Sequence, residues 1–410
     1  MFNKEALKLV EEAEKECQPI FNKLSEICLQ NSEKVLKAFR DEELQLADIA
    51  SSSGYGNDDR ARVKLSSIYA RVFGGEAGIV SPLITSGTHG LTIALFGLLR
   101  PGDTMFSVTG KPYDTLIDVI FKEGIGSLKD FKINYRDIEL KDNDFDYAKV
   151  EEELKNNKPR MVYVQRSRGY TTRDSLSIDK IEKLIKFVKN IDKDVLVMVD
   201  NCYGEFVELR EPCDVGADVM VGSLIKNAGA GIAPTGAYIV GTKYAIEQIS
   251  SRFIAPSIGL EVGSYAGNYT PFFQGCFLAP HTVLNALKGN ILFGRVAEKF
   301  GISSLPKFGD MPHDIVRTLQ MGSADKLIEF CRLVQKFSPV DSNVVPFPWD
   351  MPGYNNQIIM ASGSFTQGSS IELSADGPIR EPYYCYMQGG LTYEHVKILA
   401  IEFATIYLNK

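Results

Sequence analysis

The stretch from Asp194 to Gly241 constrains the chain more than any other. It opens as DVLVMVDNCYGEFVE and continues, after three residues, as PCDVGADVMVGSLIKNAGAGIAPTGAYIVG. Val195 to Val199 is a short apolar run of the kind expected in a central parallel strand, buried on both faces. Asp200 then stands at the strand's carboxyl end, where open α/β sheets place their ligands. Ala217 to Val221 repeats the pattern one crossover later, and Ser223 and Lys226 leave its end. A third short strand closes the stretch, and Gly229, Gly231 and Gly236 let backbone pass close to a ligand. The β-α-β alternation across residues 80 to 240 predicts an α/β domain with a mainly parallel sheet.

Taken singly, these polar residues have ordinary readings. An aspartate after a strand is a turn or N-cap residue, and a lysine in a glycine-rich loop is solvated. Taken together, with a serine three residues before the lysine, they match what pyridoxal phosphate (PLP) requires. That cofactor needs an amine to hold it as an imine, and an acid beside its ring nitrogen so that the protonated ring accepts electrons. Lys226 is then the Schiff-base lysine and Asp200 the partner of the ring nitrogen.

Other segments add candidates. Ser86, Gly87 and Thr88 turn the chain into an apolar helix over Leu91–Leu99. Such a turn is an anion site, because free N–H groups and the helix dipole point at it, and it is also a simple N-cap. His89 follows as a packed or capping histidine. A strand over Thr104–Val108 leads to KPYDT, which carries Tyr113. A strand over Arg160–Val164 ends in QRSRGY, which brings Gln165, Arg166 and Arg168 to the sheet edge of Asp200. The two arginines there either attract an anionic substrate or fix the loop by ion pairs. Residues 1 to about 47 read as helix, with Leu7, Val10, Ile20 and Leu24 on the inner face, and Ser177–Val188 is an amphipathic helix. Toward the carboxyl end we expect a long helix from about Phe272 to Phe300, interrupted by Pro280. A helix over Ala324–Phe337 follows, then strands near Gln357–Ser362 and Ser369–Leu373, and Arg380 in a Gly-Pro loop.

Composition narrows the class. A chain of 410 residues buries a large core and divides into two or more domains. A net charge of −7 argues against a nucleic-acid partner, which leaves a basic footprint. No apolar run approaches membrane-spanning length, and the charged amino terminus lacks a signal-peptide core, so the expected place is the cytosol. Seven scattered cysteines without a CxxC pair read as free thiols, and four dispersed histidines give no metal site.

The phrases SGTHG, KPYDT, QRSRGY, VDNCYGEFVE, GSLIKNAGAG and ADGPIREPY resemble the Cys/Met-metabolism family of PLP enzymes, the cystathionine lyases and methionine γ-lyase. Their nearest likeness is the aluminium-resistance branch, and they span roughly residues 50 to 400. The resemblance implies fold type I, the aspartate aminotransferase kind: a large, mainly parallel sheet domain with a smaller α+β domain. The expected division is a helical arm over 1–50, a PLP-binding domain over 51–289 and a small domain over 290–410. It further implies that main-chain amides of Gly87 and Thr88 and the hydroxyl of Ser223 hold the cofactor phosphate, and that Tyr113 stacks on the ring and assists proton transfer. Tyr55 and Arg60 would reach the phosphate in a neighbouring subunit, and Arg380 would bind the substrate α-carboxylate. Ile225 departs from the pattern, because cystathionine enzymes commonly carry a hydroxyl residue immediately before the lysine. The implied protein is at least a homodimer, and a tetramer as in the family. The implied activity is carbon–sulfur β- or γ-elimination on a sulfur-containing amino acid such as cystathionine or methionine. Transamination, aldol cleavage, or a PLP-binding metal-stress role without lyase activity are the alternatives.

Overall fold

The computed structural model describes residues 2–351 and 356–409. A seven-stranded sheet forms its centre, built from β1 (Ala77–Ser81), β2 (Thr104–Ser107), β3 (Asn134–Asp137), β4 (Met161–Gln165), β5 (Leu196–Asp200), β6 (Val219–Ser223) and β7 (Ala237–Gly241). Their spatial order is β1-β7-β6-β5-β4-β2-β3. Strands β3, β2, β4, β5 and β6 run parallel, and β7 is antiparallel to both β6 and β1. The carboxyl ends of β1, β2, β4, β5 and β6 therefore share one edge of the sheet.

The apolar runs follow from burial on both faces. Val162, Val164, Val197, Val199 and Met220 face one core, while Met161, Tyr163, Met198, Val219 and Val221 face the other. This is the two-residue period of a strand expressed in a fully apolar segment. Helices α3 (Gly87–Leu98), α4 (Asp114–Phe121) and α7 (Lys243–Phe253) contribute to the second core. The first is covered by α1 (Lys4–Asp41), α2 (Arg60–Val72), α5 (Tyr147–Asn157), α6 (Ile178–Ile191) and α8 (Thr270–Lys299). Ser177 caps α6 by accepting the Lys180 N–H, the interaction that favours serine at such positions.

The amino-terminal arm is one helix that ends at Asp41, six residues short of the expected limit. Its inner face is Ala6, Val10, Ala13, Cys17, Phe21 and Leu24, at helical spacing, with Leu7 and Ile20 on the flank. Asn31 fastens this helix to the site region: its Nδ2 donates to the carbonyls of Phe206 and Glu208, each at 3.1 Å. Pro280 does not break α8, which runs unbroken through it and through the boundary expected at 290.

A second, antiparallel sheet has the order β10-β11-β12-β9-β8. Its strands are β8 (Ser304–Leu305), β9 (Val316–Gln320), β10 (Ile358–Ala361), β11 (Ser374–Pro378) and β12 (Tyr384–Gln388), packed with α9 (Ala324–Lys336) and α10 (Tyr393–Leu408). The strand expected over 369–373 lies instead at 374–378. Glu372 accounts for the shift: its carboxylate accepts the N–H groups of Phe365 and Thr366 and folds the preceding segment into a loop.

Arg166 and Arg168 turn out to be structural, fully buried at the edge that bears Asp200. Arg166 donates to Asn201 Oδ1 at 2.8 Å, to the Gly204 carbonyl at 3.0 Å and to Glu208 Oε1 at 2.7 Å, and lies 3.7 Å from Glu211. Arg168 pairs with Asp314 at 3.7 Å and donates to Thr318 Oγ1, which ties the central sheet to the second one. The ion-pair role expected as one alternative is thus the one observed. Replacing Arg166 by Ala removes the cation 3.7 Å from the fully buried Glu211 and the donor to Asn201, Gly204 and Glu208, a loss of about 3–5 kcal/mol. The expected outcome is a clear drop in the urea unfolding midpoint, read by far-UV circular dichroism.

Candidate active site

Asp200, Ser223 and Lys226 line one cavity of about 210 Å³, together with Gly87, Thr88 and Tyr113. They come from four separate segments that meet because every one of them leaves the same sheet edge. Asp200 ends β5, between Gln165 of β4 and Val221 of β6. Its Oδ1 accepts the Cys202 N–H at 3.1 Å, and the Tyr163 hydroxyl lies 3.5 Å from Oδ2. Burial raises the carboxyl above the usual carboxylate range, against the opposing pull of Lys226 and the Cys202 N–H. The long bond at Oδ2 leaves that oxygen with capacity for a better donor, which a ring N–H would supply.

Lys226 follows β6 and is half-buried, lining the cavity. Its Nζ sits 4.2 Å from the centroid of the Tyr203 ring, a distance at which the ring face attracts an ammonium. Burial works to remove its proton, but Cys202, Tyr203, Asp200 and Glu205 around it outweigh that, so the amine titrates above the usual lysine range. Tyr203 reaches this position with φ of 73°, a backbone conformation that costs a residue with a side chain about 1–3 kcal/mol. The two hydrogen bonds from Arg166 to Asn201 and Gly204 bracket it and hold that turn.

At the amino terminus of α3, Ser86 accepts the His89 N–H at 3.1 Å. The amides of Gly87 and Thr88 have no partner within the helix, which leaves them for an anion. Gly87 packs closely: a Cβ there would stand 3.4 Å from Ser223 Cβ and 3.6 Å from Cys202 Sγ. Thr88 Oγ1 is 2.8 Å from Thr115 Oγ1, and both line the cavity. Ile225 lines the same cavity, so these hydroxyls and that of Ser223 are among the polar groups it offers in place of a hydroxyl residue before the lysine. His89 is a local cap, with its Nδ1 accepting the Thr85 N–H at 3.2 Å. An aldehyde-reactive amine, a buried acid and an anion cradle within one cavity are the donor set that PLP requires.

Arg380 belongs to a neighbouring cavity of about 290 Å³, which Tyr113 and Arg168 also line. It donates to the Tyr170 carbonyl at 3.2 Å and, among the described residues, pairs with neither Glu372 nor Glu381. Tyr55 and Arg60 do not line either cavity of their own chain. Tyr55 is 77% exposed, and Arg60 Nη2 lies 2.6 Å from Asp48 Oδ1.

With this geometry in place, the comparisons are consistent. A family model described as methionine gamma-lyase matches residues 6–407. The chain belongs to that family. It is 48% identical to a solved carbon–sulfur lyase involved in aluminum resistance from Clostridium novyi NT, covering 99% of this chain and 96% of that one with a TM-score of 0.94. It is also 48% identical to protein YnbB of Bacillus subtilis (strain 168) over 390 residues, 94% of this chain and 92% of the relative. A pyridoxal-5'-phosphate dependent protein, YhfS of Escherichia coli, shares the fold at 14% identity and a TM-score of 0.63, covering 94% and 97% of the two chains. The family member's fold is type I of the PLP-dependent enzymes.

The sequence did not single out Cys202, Tyr203, Glu205, Thr115 or Asp376. The first three stand within DNCYGEFVE, two to five residues past Asp200, where their proximity to Lys226 depends on the turn that Arg166 pins. Added PLP is expected to give the protein a visible absorption band. Borohydride followed by peptide mapping should place the label on Lys226, and Lys226→Ala should give none. Asp200→Asn, which keeps the shape and removes the charge, is expected to weaken PLP binding about tenfold or more, read by fluorescence titration.

Proposed function

We propose that the chain is a PLP-dependent carbon–sulfur lyase that carries out β- or γ-elimination on a sulfur-containing amino acid such as cystathionine or methionine. The observation that carries this reading is the meeting of Lys226, Asp200 and Tyr113 in one cavity beside the α3 amino terminus. Family membership over residues 6–407 supports it, as does the carbon–sulfur lyase of Clostridium novyi NT with which nearly the whole chain aligns.

Bound in this cavity, PLP would supply an aldehyde for amines and a protonated ring that takes up the electron pair left when Cα loses its proton. The residues have separable tasks. Lys226 would hold the cofactor and, once released, move the proton at Cα. Tyr203 keeps that amine in place from below. Asp200 would keep the ring nitrogen protonated, and its lack of a short bond at Oδ2 suits it to that. The Gly87 and Thr88 amides with the Ser223 hydroxyl would bind the phosphate. Tyr113 borders both this cavity and that of Arg380, and its hydroxyl would give a proton to a departing sulfur. Arg380 would take the α-carboxylate in a two-point fork, the geometry a guanidinium offers. We extend the proposal to the assembly: Tyr55, exposed on its own chain, and Arg60 would complete the phosphate site of a second copy in a homodimer or larger assembly.

Elimination releases a thiol and an unsaturated amino acid, which water hydrolyses to a keto acid and ammonia, with no amino acceptor required. Incubation of the PLP-loaded protein with cystathionine and with methionine should yield a keto acid and free thiol in equal amounts. Keto acid formed only when an acceptor keto acid is added would overturn the reading in favour of transamination. Arg380→Ala is expected to raise KM about tenfold to a hundredfold with a smaller change in kcat, as measured by keto-acid release.

A further inference from the structure

Asp376, on β11, has no part in the scheme above. It is nearly fully buried, and among the described residues no Lys, Arg or His nitrogen forms an ion pair with it. Its Oδ2 accepts from Gln388 Nε2 at 3.1 Å, and the Tyr170 side chain also hydrogen-bonds to it. Its carboxyl borders a small space of about 30 Å³ shared with Tyr113, Tyr203 and Tyr170. Tyr113 and Tyr203 also line the Lys226 cavity, and Tyr113 and Tyr170 line the Arg380 cavity. The carboxyl thus sits where the two cavities meet.

An uncompensated carboxylate in such a place is costly, and burial pushes its pKa up to about 7. Both observed neighbours donate to it, so the oxygen capacity that remains can be filled by another donor. A donor carrying positive charge satisfies the hydrogen bond and offsets the buried charge together. The space accommodates one small polar group, since a water needs about 10–15 Å³.

Building on the lyase reading, we propose that Asp376 is a specificity-determining residue that binds a protonated amine carried on the sulfur side of the substrate. The preferred substrates are amino-acid thioethers whose leaving thiol bears an ammonium group. Arg380 and Asp376 then read opposite charges, a carboxylate on one half of the substrate and an ammonium on the other. Gln388 acts as a positioning residue, because its amide fixes the carboxyl.

The test uses two probes of nearly equal size, S-(2-aminoethyl)cysteine and S-propylcysteine, with the PLP-loaded full chain. Wild-type protein should favour the amine by about tenfold or more in kcat/KM and in Kd by titration calorimetry. Asp376→Asn, which keeps the shape and removes the charge, should lose most of that preference and turn over S-propylcysteine within a few-fold of wild type. Equal kcat/KM and Kd for the two probes in the wild type would overturn the role of Asp376 while leaving the lyase reading intact. That measurement stands even if the variant fails to fold. Selective binding of the amine without keto-acid release would instead remove the lyase reading and keep the amine site. Failure of both probes to bind would overturn the Asp376 proposal directly.

Discussion

Charge buried at the carboxyl ends of parallel strands governs how this protein is built. Asp200, Glu205, Glu211, Arg166 and Arg168 are all buried between residues 166 and 211, and Lys226 stands half-buried beside them. Dry charge is tolerated only where partners surround it, and much of the local architecture supplies those partners. Arg166 grips both sides of the turn after β5 and meets Glu208 and Glu211. Glu205 lacks a cation within ion-pair distance among the described residues; burial pushes it up to about 8, and the Tyr238 hydroxyl donates to it at 2.8 Å.

One consequence is a rigid floor for the reactive amine. The turn that Arg166 holds forces Tyr203 into a left-handed backbone conformation, and its ring then lies beneath Lys226 Nζ. Strain of this kind persists only where the surroundings over-determine it. The same turn is fastened from outside by Asn31 of the amino-terminal helix, which bonds to Phe206 and Glu208. A helix remote in sequence thereby contributes to the precision of the turn beside Lys226, since residues on such turns are held by the packing and hydrogen bonds around them.

The second sheet provides what the first cannot. The central sheet offers amine, acid and anion cradle, all specific to a cofactor. Arg380 and Asp376, the groups we propose to discriminate among substrates, stand on or just after β11 of the antiparallel sheet. Arg168, bonded to Thr318 of β9 and paired with Asp314, fixes one sheet against the other. On that proposal the division is physically sensible: substrate contacts on a separate layer would vary without disturbing the residues that would hold the cofactor.

Much of this was legible in the chain itself. Val195–Val199 and Ala217–Val221 announced parallel strands because a strand buried on both faces must be apolar throughout. Asp200 and Lys226 stood out only together, in that order and with Ser223 three residues before the lysine, since each alone has an ordinary structural reading. The loop over 369–373 was misread as strand, since the carboxylate that bends it, Glu372, acts through tertiary hydrogen bonds that periodicity does not record. Arg166 and Arg168 left two roles open in sequence, and only the positions of Glu208, Glu211 and Asp314 decided between them. The sequence by itself determined the parallel core and the lysine–aspartate pair, because local pattern and residue chemistry suffice for both. Tertiary structure alone decided that Tyr203 underlies the amine and that Asp376, from another sheet, borders a space shared with Tyr203, because those contacts join segments whose separation along the chain carries no signal.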